Sequence, residues 1–378
     1  MGYAHANAIM GGEIEGMTLT AICDIEKQKI ENFKSQNTEI AAFSDYTDLF
    51  KSGLCDAVVV AVPHKSHALI ACDAFEHGLH VLVEKPVDIS VSAARRLGAA
   101  AEKSGKVFGI MFNQRTNPLF SKAREIVKSG ALGEIKRSVW IVTNWYRTQH
   151  YYDSGDWRAT WAGEGGGVLL NQAPHQLDLW QWICGMPKTI TAFCDIAKYH
   201  NIEVEDDVTI FARFENGATG LFVTTTGENP GTNRLEISGS LGKLVLENGT
   251  LKWWKLGTSE REVCFNSTHS SPHIDTEYEE FHQEKHESAH KGILQNFAAA
   301  VLHGEPLLAP GYEGINELTV SNAAYLSAWT GNREIELPFN EAEFDELLSR
   351  RMENSTYKKS AAHHKTSDHY RSRWSVNW

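Results

Sequence analysis

The chain of 378 residues carries 36 Lys and Arg against 48 Asp and Glu, a formal net charge of −12 at pH 7. That balance excludes nucleic acid as the main partner, which calls for a basic face. No apolar run is long enough to span a bilayer, and no charged-then-apolar signal segment opens the chain. The length gives two domains enough chain for two cores. Six scattered cysteines (Cys23, Cys55, Cys72, Cys184, Cys194 and Cys264) show neither CxxC nor zinc spacing. Reduced thiols in a cytoplasm are the expectation, with no metal.

Met1–Met10 reads as a helix. A strand follows over Leu19–Asp24, and Ile25–Gln36 is polar and helical. Ala57–Val62 is a continuous apolar run, the pattern of a strand buried on both faces. His67–His77 is helical, with Gly78 as its C-cap. Val81–Pro86 (Val-Leu-Val-Glu-Lys-Pro) reads as a buried strand ended by proline, which has no ladder donor. A helix over Val91–Ser104 and a strand over Val107–Phe112 complete the region. Alternating strands and helices imply a Rossmann-type α/β domain with a parallel sheet and right-handed crossovers. Lys85, at the carboxyl end of a buried parallel strand, lies where such sheets bind ligands. A surface lysine at a strand exit is the plain alternative.

Asp24 lies roughly twenty residues after Gly2, the distance at which a dinucleotide fold places the acid for a ribose 2′-OH. Asp24 with Glu26 would repel a 2′-phosphate, so NAD is favoured over NADP. A helix N-cap is the simpler role for Asp24. The dinucleotide fingerprint is a strand, then Gly-x-Gly-x-x-Gly, then a helix. The chain enters it at Gly2, where the third glycine would stand. One expectation is that the first strand and first two glycines are missing from this chain. The other is a damaged phosphate site. The first is favoured because the rest of the domain shows no decay.

From Asn117 the pattern changes. Pro118–Ser129 is a helix ending at Gly130, and Ser138–Asn144 alternates like a strand. Tyr146–Trp161 is an aromatic and polar loop suited to a hydroxylated ligand. Gly163–Gly167 leads into a helix over Val168–Cys184. Thr189–Cys194, Val208–Phe214, Ala218–Thr226, Asn233–Ser238, Lys243–Glu247 and Thr250–Lys255 read as strands, with turns at Asn216-Gly217 and Asn248-Gly249. The run predicts an α+β domain with a large open, mainly antiparallel sheet. One face of such a sheet is commonly left for a partner subunit. Helices over Ala289–His303 and Glu313–Trp329 and a short strand at Ile335–Pro338 follow. His282, His286 and His290 repeat every four residues and could share one helix face; a solvated or interface face outweighs a zinc site. The expected domains are 1–117, 118–350 and a polar tail over 351–378, which is either disordered or docks its tryptophans on a neighbouring subunit.

The stretch Gly165-Gly-Gly-Val-Leu-Leu-Asn171-Gln-Ala-Pro-His175-Gln-Leu-Asp178, together with Glu84-Lys85-Pro86, resembles the glucose–fructose oxidoreductase, inositol dehydrogenase and rhizopine catabolism (Gfo/Idh/MocA) family. Gly2-Tyr-Ala-His5 is similar to the end of that family's phosphate loop. Val62-Pro63-His64-Lys-Ser-His67 is similar to its loop after the fourth strand, and Asn113-Gln-Arg115-Thr-Asn-Pro118 to its domain junction. Trp157-Arg158 and Glu205-Asp206-Asp207 also fit, and the resemblance runs to about Leu348.

The resemblance implies a bidomain NAD(P)-dependent oxidoreductase, a homodimer or homotetramer through the open sheet, acting on a small carbohydrate or polyol. Lys85 and His175 match the catalytic lysine and histidine. The cofactor-binding positions it implies are Gly2, His5, Asp24, Ala61, Pro63, His64, His67, Glu84, Lys85 and Asn113. The substrate-binding positions are Asn171, Arg115, Tyr146, Trp157, Arg158 and Asp178. Tyr146, Arg147 and His150–Tyr152 are candidates either for the pocket or for packing under the sheet. Thr224–Arg234 is either a carbohydrate-related feature or a hairpin loop at a subunit interface. Asn171 stands where inositol dehydrogenase-like members carry an aspartate; asparagine takes no proton but holds a substrate hydroxyl. Asp178 lies one helical turn after His175 and either orients its imidazole or packs.

Alcohol oxidation needs a base for the proton, which suits His175, and a cation for the developing alkoxide, which suits Lys85. The expected activity is NAD-dependent oxidation of a ring secondary alcohol of a sugar, glycoside or cyclitol, with a 3-keto-glycoside as one product. The alternative is a non-catalytic sugar- or nucleotide-binding homologue with a defective phosphate loop.

Overall fold

In a computed structural model, the structure describes residues 1–155, 157–283 and 289–355. The chain forms two compact units: residues 1–116 with 289–315, and residues 117–283 with 316–355. None of its described helices is long and apolar enough to cross a membrane. All six cysteines are free thiols.

The first unit alternates helix and strand. It runs α1 (Gly2–Met10), β1 (Ala21–Cys23), α2 (Lys27–Lys34), β2 (Ala41–Phe43), α3 (Tyr46–Lys51), β3 (Ala57–Val60), α4 (His67–Glu76), β4 (His80–Val83), α5 (Val91–Ser104) and β5 (Phe108–Ile110). Every strand pair is parallel, in two ladders ordered β1-β2 and β3-β4-β5. This is the expected Rossmann-type α/β arrangement, and the strands are shorter than their apolar runs. β4 and β5 are the enclosed strands: Val81, Leu82, Val83 and Ile110 are all at 0% exposure and Phe108 at 2%. The longer apolar run at Ala57–Val62 does not meet that expectation: Ala57, Val58 and Val59 are half-buried. Both β3 and β5 end the ladder, but Phe297 lies against Gly109 of β5 and helps to enclose it.

The second unit begins with α6 (Pro118–Lys128), capped by Asn117, whose side chain accepts the Leu119 N–H at 2.9 Å, with Pro118 in the first turn. It continues through β6 (Ile135–Val142), α7 (Gln149–Asp153), α8 (Trp161–Glu164), α9 (Val168–Asn171) and α10 (Pro174–Cys184). Strands β7 (Thr189–Ile196), β8 (Glu205–Arg213), β9 (Thr219–Thr225), β10 (Asn233–Gly239), β11 (Gly242–Glu247) and β12 (Thr250–Leu256) follow, then α11 (Glu260–Asn266) and β13 (Thr276–His282). After α12 (Ala289–His303) come α13 (Gly314–Trp329), β14 (Ile335–Glu336) and α14 (Glu341–Glu353).

The nine-stranded sheet has the order β13-β12-β11-β10-β6-β9-β8-β7-β14. It is antiparallel except where β6 runs parallel to β9. Asn248 and Gly249 both take positive φ, at 52° and 68°, as a tight hairpin turn demands. Trp180 of α10 packs on the sheet: its Nε1 donates to Ser138 Oγ of β6 at 2.9 Å, and its ring centroid lies 5.6 Å from that of Phe222 of β9. Gly220 makes room for it, since a Cβ there would stand 2.5 Å from the indole. Phe193 of β7, 56% exposed, marks an uncovered part of the sheet.

Four expectations change. The helix expected over Val168–Cys184 is two helices, because Pro174 lacks an N–H and its ring crowds the carbonyl four residues back; it opens α10 instead. Strand β13 carries mostly charged and polar residues, and so lacked an apolar alternation to mark it. His282 ends β13 and His290 lies in α12, so the three histidines do not share a helix; His286 lies outside the described residues. Residues 289–315, expected in the second domain, pack with the first unit, where a Cβ on Gly109 would stand 3.2 Å from the Phe297 ring. Residues 351–353 continue α14, and the tail from 356 onward lies outside the described residues.

Candidate functional site

In the first unit, the candidate site forms where β4 ends. Glu84 continues the ladder through its N–H to Val60 O at 2.9 Å, then turns its side chain inward to 6% exposure. Its Oε1 accepts from His5 Nε2 of α1 at 2.7 Å, and its Oε2 accepts from the Lys85 N–H at 3.3 Å. Burial alone would raise the Glu84 carboxyl. The His5 hydrogen bond and the charges of His5, His290 and Lys85 overrule that and hold it well below the usual carboxylate range. Lys85, half-buried, follows directly on this anchored carboxylate.

His290 of α12 completes the cluster. Its ring lies 5.9 Å from that of His5, and its Nδ1 accepts from Asn113 Nδ2 at 3.3 Å. Burial, foremost, pushes the His290 imidazole down to about 4 against the pull of Glu84. At neutral pH the cluster therefore pairs an ionised carboxylate with a neutral imidazole. Sequence reasoning missed this role for His290, because the ladder of histidines at 282, 286 and 290 suggested one helix.

The other expected cofactor positions divide. Gly2 is exposed at the first turn of α1, where a Cβ would meet Ala61 at an ordinary 3.6 Å, so packing does not compel glycine there. Asp24 follows β1, half-exposed, with Oδ1 accepting the Glu26 N–H at 2.9 Å. Pro63 is exposed and His64 is buried. His67 lies inside the fold. It is fully buried, with Nδ1 2.7 Å from Pro86 O and Nε2 2.9 Å from Val62 O. Its imidazole ties the loop after β3 to the loop after β4. Arg115, expected at the substrate, is likewise turned inward: it is ion-paired with Glu313, donates to Leu308 O at 3.2 Å and is 2% exposed.

In the second unit, the glycine run sets the geometry. A Cβ on Gly167 would stand 2.0 Å from Glu205 O, and one on Gly166 would stand 2.2 Å from Tyr325 Oη. Glycine lets the chain press against β8, and the buried Glu205 then caps α9. Its carboxylate accepts from Gly167 N at 2.9 Å, Leu169 N at 3.0 Å and Tyr325 Oη at 2.7 Å. Burial raises this carboxyl to about 7 despite those donors.

Helix α9 delivers Asn171, whose Nδ2 donates to the buried Glu164. The second Glu164 oxygen accepts the Ala159 N–H at 2.6 Å. Tyr151 Oη accepts from Arg158 Nη1 at 2.8 Å and Gln172 Nε2 at 3.2 Å, and lies 3.5 Å from Asn171 Oδ1. His175, 6% exposed, sits in the first turn of α10. Asp178 is buried and accepts from Gln181 Nε2 at 3.0 Å. Tyr146 is exposed and Trp157 half-buried under the Arg158 guanidinium. Tyr151 was among the residues read as either pocket or packing; Glu164 and Gln172 were not singled out, because a lone Glu or Gln in an aromatic, glycine-rich stretch carries no spacing signal.

Family models match the chain in two stretches. The oxidoreductase family with NAD-binding Rossmann fold matches residues 1–112, and the GFO/IDH/MocA C-terminal domain matches residues 120–245. The chain belongs to the Gfo/Idh/MocA oxidoreductase family and is an NAD-dependent enzyme. It is 24% identical to YrbE, an uncharacterised oxidoreductase of Bacillus subtilis, over 86% of this chain and 91% of that protein. It is 23% identical to myo-inositol 2-dehydrogenase of Thermotoga maritima, over 82% and 89%. The crystal structure of the WlbA dehydrogenase from Bordetella pertussis, in complex with NADH and UDP-GlcNAcA, superposes with a TM-score of 0.73 at 25% identity, covering 90% of this chain and 96% of that one.

The first unit fits a dinucleotide in its donor set. Asp24 offers a half-exposed carboxylate for ribose hydroxyls. The opening turn of α1 offers backbone N–H groups beside Ala61, at the carboxyl end of β3, for a diphosphate.

The buried cluster predicts a two-step acid response. His290 is protonated more readily in the unfolded chain, so stability falls as pH drops from about 6.5 to about 4. Glu84, depressed in the folded state, stabilises above its unfolded value near 4.3, and that contribution is lost below about pH 4. Urea unfolding at a series of pH values should show a flatter upper step in His290→Gln and a flatter lower step in Glu84→Gln. Gly167→Ala should lose about 2 kcal/mol or more, because its Cβ meets main chain that cannot yield; an unchanged urea midpoint would refute the close approach.

Proposed function

We propose that the enzyme oxidises a ring secondary alcohol of a sugar, glycoside or cyclitol to the ketone, or runs the reverse reduction. Bound NAD supplies the hydride acceptor. His175 takes the hydroxyl proton, and the Lys85 ammonium stabilises the developing alkoxide. The observation that carries this reading is Lys85 itself, half-buried at the exit of the innermost strand and immediately following a buried, ionised carboxylate. Asp24 holds the adenosine ribose, and its neighbour Glu26 disfavours a 2′-phosphate, so NAD is preferred to NADP. Asn171, with its amide held by Glu164, takes a substrate hydroxyl. A non-catalytic binding homologue would have no use for the Lys85 and His175 pair.

The relatives support the substrate class: myo-inositol 2-dehydrogenase and the NAD-specific scyllo-inositol 2-dehydrogenase of Bacillus subtilis are each 23% identical to this chain. The chain assembles as a homodimer or homotetramer through the uncovered face of the large sheet, where Phe193 is exposed.

Lys85→Met should lower kcat/KM for the best sugar or cyclitol by about 10²-fold or more, while NADH binding, followed by cofactor fluorescence, persists. Unchanged turnover would end the proposed role of Lys85. Sedimentation should give a multiple of the 42.2 kDa chain mass, and Phe193→Asp should shift it toward the monomer; a wild-type monomer would remove the oligomer proposal.

A further inference from the structure

We propose that Arg147, Tyr151 and Arg158 form an oxyanion subsite that selects a sugar bearing a carboxylate or phosphate group. This specificity builds on the reading above, although its binding test does not depend on turnover.

Two guanidinium groups flank one phenol. The Arg158 Cζ lies 4.6 Å from the Tyr151 ring centroid and 4.5 Å from that of Trp157. The Arg147 Cζ lies 5.1 Å from the Tyr151 centroid and 5.7 Å from that of Trp145. Among the described residues neither has a carboxylate partner, although Arg115, Arg213, Arg234, Arg261, Arg333 and Arg350 all do. Asp153 takes the Gln149 amide, and Asp156 lies outside the described residues. Two half-buried arginines without a carboxylate among the described residues stand out in a chain of net charge −12.

Among the described residues most of their donor capacity is uncommitted. Arg158 uses Nη1 for Tyr151 Oη at 2.8 Å, and Arg147 uses Nη1 for Tyr146 O at 2.9 Å. Each guanidinium has five N–H donors in a planar fork matched to carboxylate and phosphate oxygens. The Arg147 Nε is buried and without a hydrogen-bond partner. Stacking on aromatic rings holds the guanidinium planes without consuming these donors.

The framework is rigid. The Arg147 N–H donates to Thr226 O at 2.9 Å, and its carbonyl lies 2.8 Å from His200 Nε2. The other nitrogen of that ring is 2.8 Å from the buried Asp206 carboxylate. Tyr151 in turn takes the Gln172 amide, three residues before His175. The subsite is thus tied through Tyr151 to the segment that carries the proposed base, and it would grip one end of a substrate whose hydroxyl lies further in.

The test uses the full chain saturated with NADH and follows tryptophan fluorescence, with Trp145 and Trp157 as built-in reporters. D-glucuronate, D-glucose 6-phosphate and D-glucose are titrated in turn. At least one anionic sugar should bind tenfold or more tightly than glucose and weaken with added salt; the stronger of the two identifies carboxylate or phosphate. The ratio of anionic to neutral affinity should fall at least tenfold in Arg158→Gln and further in Arg147→Gln/Arg158→Gln. Arg158→Lys, which keeps the charge but loses the fork, should fall between. Equal affinities in the wild-type protein, or an unchanged ratio in the double variant, would overturn the proposal. Tight anionic binding without NADH formation from NAD would instead leave the subsite standing and count against the dehydrogenase reading.

Discussion

A carboxylate kept ionised inside the first unit governs what surrounds it. Glu84 could not remain charged at 6% exposure without help, since removing an isolated carboxylate from water costs several kcal/mol or more. His5 from the first helix donates to it, and the Lys85 main chain closes on its other oxygen. The first helix, the exit of the innermost strand and His290 of a distant segment meet at that one group. Lys85 inherits its position from this arrangement, because its backbone is fixed before its side chain begins. The fully buried His67 acts in the same sense, holding the following residue, Pro86, to the neighbouring loop.

The second unit reaches comparable rigidity by a different route. Two glycines allow a close approach, and the buried Glu205 stitches the resulting turn with backbone N–H groups and the Tyr325 hydroxyl. A Cβ at Gly166 or Gly167 would occupy space already held by Tyr325 and β8. The short helix that follows can then present Asn171 with its amide orientation set by Glu164. Polar side chains in both units are therefore oriented by carboxylates lying behind them, which lowers the entropy that a ligand would have to remove.

Much of this was legible in the sequence. The alternation of strands and helices up to Phe112 and the hairpin turns at Asn216-Gly217 and Asn248-Gly249 predicted the two folds, because backbone requirements at those positions are local. Burial was less legible: Ala57–Val62 and Val81–Val83 are equally apolar, yet only the second is enclosed, since enclosure depends on which distant segments pack on each strand. The inward turn of Arg115 and His67 was hidden for the same reason, as their partners Glu313 and Pro86 lie far along the chain or on the main chain. Glu164 and Gln172 had no spacing to announce them. The helix over Glu341–Glu353 was legible but passed over, although Asn340 is a good cap and Phe344 and Leu348 share one buried face.

The return of residues 289–315 to the first unit bears on how the protein is made. Residues 1–116 leave the ribosome before Phe297 and His290, which seal β5 and the Glu84 cluster and are translated about 170 residues later. At about 5–20 residues per second, that delay is roughly 10–30 s. During this interval the nascent first unit holds an unsealed core face and a buried acid without its full set of neighbours. The core of the first unit is therefore completed only when residues 289–315 have been made.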